Sequence, residues 1–455
     1  ISVSLSSPLF PYTTLFRSGV VVSANRSETT RRMAPTLVNV VDLKLFETTN
    51  SSTLSQGLNF QPGVRVETNC QNCGFQQVRI NGLDGPYTQI LIDSRPVFSA
   101  LSGVYGLEQS PASMIERVEV MRGGGSALFG SSAIAGTINI ITKEPLRNSG
   151  QLSHTITSLG GSSSFDNNTS LNASLVTDDH RAGLYIFGQN RYRSGYDYDG
   201  DGFTELPKLK NQTVGFRSYL KTSTYSKLTF EYHHMQEFRR GGDMLNRPPH
   251  EAHIAEQLQH SIDGGSLKFD YFSPDEKNRL SVFASAANTD RDSYYGPGND
   301  PLKAYGKTTD LTAMGGAQYV HTFDKCFFMP SDLTAGLEYN RDRLKDNMWG
   351  YNRHTDQTVN IYSAFLQNEW KNDRWGILIG GRLDKHNMVD NVIFSPRANL
   401  RFNPTQNINL RLSYSSGFRA PQAFDEDMHI ENVGGTVAMI ERAKDLKEEK
   451  SQSFS

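Results

Sequence analysis

Three groups of side chains in this chain could do chemistry. Cys70-Gln71-Asn72-Cys73 sets two thiols two residues apart. Such a pair can close a small disulfide, contact a soft metal or substrate, or stay as two thiols. A disulfide stiffening the loop is the expected state. Two sulfurs alone do not make a zinc site, which takes four ligands. Asp197, Asp199 and Asp201 place carboxylates at the first, third and fifth positions of a run with Gly202 at the sixth. That pattern suits Ca²⁺. The twelfth position, where a bidentate Glu belongs, is Lys208, so Glu205 would have to supply the nearer ligand. The competing reading is a solvated acidic turn. The third group is rich in His and Met: Met244, His250, His253 and His260, then Met348, Trp349 and His354, then His386 with Met388, then Met428-His429. Imidazole and thioether ligate haem iron and copper. Taken singly, each is more simply a surface residue. Cys326 reads as incidental. No spacing of Ser, His, Asp or Cys makes a recognised catalytic set, so binding and gating are expected rather than bond-making.

The elements that must position these groups change period near residue 150. Ile408, Leu410, Leu412 and Tyr414 alternate with polar residues, as do Trp375, Ile377, Ile379 and Leu383, and Leu228, Phe230 and Tyr232. A period of two with one apolar face predicts strands, either lipid-facing or in a soluble sandwich. Short polar turns at 178–180, 273–278, 372–374 and 403–407 alternate with longer segments at about 194–211, 238–262, 291–307, 344–356 and 418–446. Short and long connections in alternation favour an outer-membrane barrel. Thirteen strands and the start of a fourteenth are expected. No apolar run approaches the roughly 18 residues of a membrane helix. A net charge of −2 argues against a nucleic-acid partner.

Upstream, Ile90–Ile92 and Ile138–Ile141 are short β-branched runs suited to strands covered on both faces. Pro111 precedes a strand over Met114–Met121, and a helix is expected over Glu47–Leu58. Gly123, Gly124, Gly125, Gly130 and Gly136 punctuate the segment. Alone, these would describe a small mixed α/β unit.

Read in order, Arg79–Leu83, Leu91-Ile92-Asp93, Ile115–Val120, Arg122-Gly123-Gly124, Ser126–Gly130 and Gly136–Lys143 carry a resemblance. This stretch resembles the plug domain of TonB-dependent outer-membrane receptors. Phe418-Arg419-Ala420-Pro421, followed by Asp445-Leu446-Lys447, is similar to a second landmark, found in haem and siderophore receptors. The resemblance implies a mainly β protein: an N-terminal mixed α/β plug at 19–148, then an incomplete antiparallel transmembrane barrel at 149–455. That is 13–14 strands of the roughly 22 such barrels carry. It implies import of a scarce metal chelate, a ferric siderophore or haem first, with cobalamin or a copper complex as alternatives. A non-transporting binding or adhesion protein is the other class, and a porin is disfavoured by the plug. Implied partners are the TonB–ExbB–ExbD energy complex, outer-membrane lipid and a small metal chelate, the receptor being a monomer or joined by a surface lipoprotein. No cofactor is required, with calcium a candidate in the acidic loop.

The resemblance also assigns residues. Cys70, Asn72 and Cys73 fall on one apex loop of the plug, and Phe98 and Tyr105 on a second, over Phe98–Gln109. With His250, His253, His354 and His429 they form the expected substrate-binding set, His429 being the candidate haem ligand. The family usually has Ile-Arg-Gly where this chain has Ile80-Asn81-Gly82; Arg122 matches the family's second arginine of a plug-to-barrel lock, and either Arg79 substitutes for the first or the lock is weaker here. Residues 1–18, with LFPYTTLFRS at 9–18, read as a translated sequencing adapter. The C-terminus reads as cut inside a strand, with an open sheet edge expected at 447–455.

Overall fold

The computed structural model describes residues 19–455 apart from 71, 96–101, 298–303 and 434–435. Near the N-terminus a four-stranded sheet is ordered Val38–Asp42, Ile115–Arg122, Gly136–Thr142, Thr88–Ile92. The first two contacts are antiparallel and the last is parallel. Ile90, Ile92, Val118, Val120, Ile138 and Ile140 are buried on one face there, while Glu119 and Asn139, buried on the other, bond to Ser23. A hairpin, Val64–Cys70 with Phe75–Ile80, carries the Cys-x-x-Cys at its tip.

Two expectations for this unit need correction. In place of one helix over Glu47–Leu58 there are two, Leu43–Thr48 and Leu54–Leu58. Asp42 starts the first by accepting the Leu45 amide at 2.9 Å. Asn50, at φ 55°, ends it, because left-handed backbone cannot continue a right-handed helix. The second apex loop is mostly a helix, Ser102–Gln109. Tyr105 falls on that helix, described by its backbone, and Phe98 lies outside the described residues.

The rest is a fourteen-stranded antiparallel sheet. Thirteen strands follow one another from Ser149–Ser158 to Leu410–Arg419. The fourteenth, Glu449–Phe454, comes after a connection at 420–448 that holds a short helix, Asp425–Met428, and a small hairpin, Ile430–Val433 with Thr436–Met439. The alternation read from sequence is the alternation of environments. Ile379, Leu383, Leu410 and Leu412 are exposed on the outer face, whereas Arg382 and Asp384 are buried on the inner one. A lipid-facing exterior and a polar interior have this distribution.

The long connections are shorter than expected: 238–262 narrows to 243–253, and 344–356 to 349–352. The difference goes into the strands. Ile254–Phe272 has 19 residues and Tyr305–Cys326 has 22, against roughly 9–11 needed to cross a bilayer, so their ends stand beyond the lipid. His260 is therefore a buried strand residue, 3.7 Å from Glu237, and not a loop residue. Ser149–Ser158 pairs only with Phe165–Val176, and Glu449–Phe454 only with Leu410–Arg419. Among the described residues the sheet is thus open, with an edge where 447–455 was expected to leave one. No described helix is long and apolar enough to cross a membrane, which says nothing of strands.

Candidate functional site

Two of the contacts between the plug and the inner wall of the sheet gather ionisable side chains. The first is ionic. Glu108, on the helix Ser102–Gln109, is buried among three wall arginines: Arg191 at 3.0 Å, Arg193 at 2.8 Å and Arg239 at 2.8 Å. Burial opposes its charge, but Arg193, Arg239 and Arg191 together hold its carboxyl far below the usual carboxylate range. Next to it, Gln109 donates to Glu237 of the wall at 3.0 Å. Lower on the plug, Asp93 takes Arg217 at 2.6 Å and the Thr142 hydroxyl at 2.6 Å, and Arg217 also pairs with Glu231. Burial works against the Asp93 charge as well, and Arg217 with Thr142 outweighs it. A third node joins Arg26 to Glu338, which also takes Arg382 at 2.7 Å. Arg382 in turn donates to the Leu128 carbonyl of the plug at 3.3 Å.

None of these anchors was named from sequence, and the two residues that were do something else. Arg79 pairs with Glu67 at 2.5 Å and with Asp84, both within the plug. Arg122 lies against Gly63, also within the plug. Among the described residues the ionic ties from plug to wall given above run through Glu108, Asp93 and Arg26. A signal for them existed: Arg191 and Arg193 fall two apart on one strand, hence on one face, and so do Glu237 and Arg239 on another.

The second contact is at the apex hairpin. Cys70 ends its strand, and Cys73 sits in the turn, which Gly74 closes at φ 69° with its amide on the Cys70 carbonyl at 3.0 Å. Asn72 lies backbone-first against Gly241 of the wall, so close that a Cβ there would overlap its carbonyl. This seating brings four side chains together. Glu256 arrives from the outer end of Ile254–Phe272, and His429 from the connection at 420–448. Cys70 Sγ lies 3.2 Å from Glu256 Oε2. His429 Nε2 lies 3.4 Å from Cys73 Sγ and 3.4 Å from Glu256 Oε2. All four donor atoms fall within 4.8 Å of one another. Leu258, Tyr295, Met348 and Ile430 pack around Cys73, and the Tyr295 ring meets His429 edge-on at 5.4 Å. Hydrogen bonding to Cys73 brings the Cys70 thiol down to about 7, against the opposing effect of burial. Burial disfavours the charge on His429, but bonds to Cys70 and Glu256 raise it to about 10.

The remaining expected residues separate from this cluster. The disulfide expected between Cys70 and Cys73 is not formed: both are thiols, and both turn to Glu256 and His429. His250 Nδ1 meets the Tyr305 hydroxyl at 2.9 Å, His253 meets Asp243 at 2.5 Å, and His354 meets Asn347 at 3.0 Å. His253 and His354 are exposed at the rim and His250 is half-buried. Asp197, Asp199, Asp201 and Glu205 do come together, with one oxygen of each inside 4.8 Å. They are largely exposed and accept backbone amides: Asp197 from Gly200 and Gly202, Asp199 from Asp201, Asp201 from Phe203 and Glu205 from Tyr198.

Comparison with known proteins agrees with this architecture. Residues 135–455 match the family model described as TonB dependent receptor-like, beta-barrel, and residues 30–137 match the TonB-dependent Receptor Plug Domain. The chain is 23% identical over 423 residues to the vitamin B12 transporter BtuB of Vibrio vulnificus strain CMCP6, covering 89% of this chain and 64% of that protein. It is 33% identical over 172 residues to BtuB of strain YJ016, covering 36% and 28%. It therefore spans less than two thirds of the length of these relatives. Among solved structures, the siderophore receptor PirA from Acinetobacter baumannii superposes with a TM-score of 0.76 at 19% identity, covering 93% of this chain and 68% of that one. A mutant of the ferric enterobactin receptor PfeA from Pseudomonas aeruginosa gives 0.75 at 18% identity, covering 93% and 69%. At such identities the likeness is one of fold. With family models accounting for both the plug and the sheet around it, the chain belongs to the TonB-dependent receptors, β-barrel proteins of the bacterial outer membrane.

Proposed function

We propose that this chain serves in the uptake of a metal chelate across the outer membrane, energised by the TonB–ExbB–ExbD complex. A ferric siderophore or haem is the first ligand class, and cobalamin or a copper complex the alternative. The observation that carries the reading is the plug seated inside the sheet, with its apex hairpin touching the connection at 420–448 and the outer end of Ile254–Phe272. A ligand arriving from outside would meet that apex first, and a pull on the plug from below would have to break the contacts around Glu108, Asp93 and Arg26. Fold likeness to siderophore receptors supports iron chelates, and sequence likeness to vitamin B12 transporters supports cobalamin. His429 is engaged with Cys73 and Glu256, so a haem contact falls to the rim residues His250, His253 and His354.

Trp349 is exposed on an outer connection, whereas Trp370 and Trp375 lie near the opposite turn, at 372–374. Titrating ferric siderophores, haemin, cyanocobalamin and a copper chelate should quench Trp349 emission with one class only, and Trp349→Phe should remove the response. Cells carrying the receptor should accumulate that ligand only when TonB is present. Binding without TonB-dependent accumulation would make this a binding or adhesion protein instead.

A further inference from the structure

We propose that Cys70, Cys73, Glu256 and His429 form a binding site for a bare thiophilic divalent cation, of which Zn²⁺ is the representative, and that the bound cation clasps the plug apex to the barrel wall. The inference does not rest on the uptake reading.

The donor set is the first argument. Two sulfurs, one imidazole nitrogen and one carboxylate oxygen make four ligands of the kinds that hold Zn²⁺. A tetrahedral cation with bonds of about 2.0–2.3 Å keeps its ligands roughly 3.3–3.8 Å apart. Three of the contacts already stand at 3.2, 3.4 and 3.4 Å, and none of the four donor atoms is more than 4.8 Å from another. Closure onto a cation thus asks for shifts of less than about an ångström. The carboxylate favours a borderline cation such as Zn²⁺ over a purely soft one such as Cu⁺.

Burial and support are the second argument. Cys73, Glu256 and His429 are buried, and Cys70 is half-buried. Leu258, Tyr295, Met348 and Ile430 surround the group, and Tyr295 fixes the plane of the His429 ring. The four groups already bond to one another in this buried setting, so their donor atoms are held converging on one point, as metal ligands fixed by their surroundings are.

Connectivity decides between clasp and cargo. The ligands come from three separate stretches of chain: the plug hairpin, the wall strand Ile254–Phe272 and the connection at 420–448. Four protein ligands fill a tetrahedral ion and leave no open position, which is the mark of a structural site. A cation here would pin the hairpin to the wall, and moving the plug would require its release. Gly241 makes this geometry accessible by letting Asn72 come close enough for both cysteines to reach Glu256 and His429.

The test uses the detergent-purified full chain, reduced and stripped of metal. Co²⁺ should bind one per chain with the thiolate charge-transfer and d–d bands of a tetrahedral site, and Zn²⁺ should displace it. Cys73→Ser and Glu256→Gln, chosen as near-isosteric, should each weaken binding by at least about 100-fold, at or above the range for loss of an outer-sphere partner. Cys326→Ser, at the opposite end of the sheet, should leave the spectrum unchanged. Circular dichroism on each variant separates a lost ligand from a lost fold. Three results would overturn the proposal: no charge-transfer band in the reduced protein, a band that survives Cys73→Ser in a folded chain, or a Cys70–Cys73 disulfide found by mass spectrometry in protein freshly isolated from cells.

Discussion

The apex hairpin and the helix Ser102–Gln109 both tie the plug to the same inner wall, yet they do so with opposite chemistry. At the helix, one carboxylate faces three arginines, so the contact is mainly one of charge, with the Gln109 amide on Glu237 beside it. At the apex, two thiols, an imidazole and a carboxylate meet within hydrogen-bonding range. The first arrangement needs nothing from outside, because the seated plug already pairs Glu108 with all three arginines. The second can be completed from outside by a cation. One anchor is thus fixed, and the other is conditional on the cation proposed above.

The largest effect should come from the fixed anchor. Glu108→Ala leaves three buried arginines without their shared carboxylate, and removing one partner of a buried ion cluster costs about 3–5 kcal/mol. Thermal unfolding of the plug and amide exchange over Ser102–Gln109 should both register it. The pH dependence has a definite sign. The folded carboxyl is held far below its unfolded range, so its contribution is fully present above about pH 4.3 and is lost as pH falls through the folded value. Wild-type plug stability should be flat in this respect from pH 8 to about 5 and decline only in stronger acid, and Glu108→Gln should remove that part of the acid loss.

The second effect should come from the conditional anchor. Gly241→Ala puts a methyl group against the Asn72 carbonyl, and overpacking of this kind costs about 1–3 kcal/mol. Cobalt binding at the apex should fall with it while exchange over Ser102–Gln109 stays at the wild-type rate. If both regions loosen together, they are one cooperative contact and the comparison fails.

How far the sequence reached differs between the sheet and the plug interface. Fourteen strands, the outward Ile379, Leu383, Leu410 and Leu412, and the inward Arg382 and Asp384 were legible, because a period of two encodes facing directly. The Cys-x-x-Cys and His429 were also marked by type. Their meeting was not legible, since Cys73 and His429 stand 356 residues apart and Glu256 carries no motif. Strand ends were misjudged because polar residues above the lipid continue the ladder as well as apolar ones do, as at His260. Arg79 pairs inside the plug because two nearby plug carboxylates, Glu67 of its own hairpin and Asp84 just after it, claim it first.

That pairing gives the smallest predicted effect. Arg79 is about a third exposed, and a pair of this kind contributes about 0–1 kcal/mol. Arg79→Ala should therefore leave plug seating, followed by protease resistance of the seated domain, close to wild type, well short of Glu108→Ala.

The most direct measurement is amide hydrogen exchange on the reduced full chain with Zn²⁺ and with a chelator. Slower exchange over Val64–Ile80 and 420–448 upon adding Zn²⁺, with Ser102–Gln109 unchanged, is the predicted result. No slowing at the apex, or equal slowing at both anchors, would contradict the division between a fixed and a conditional contact.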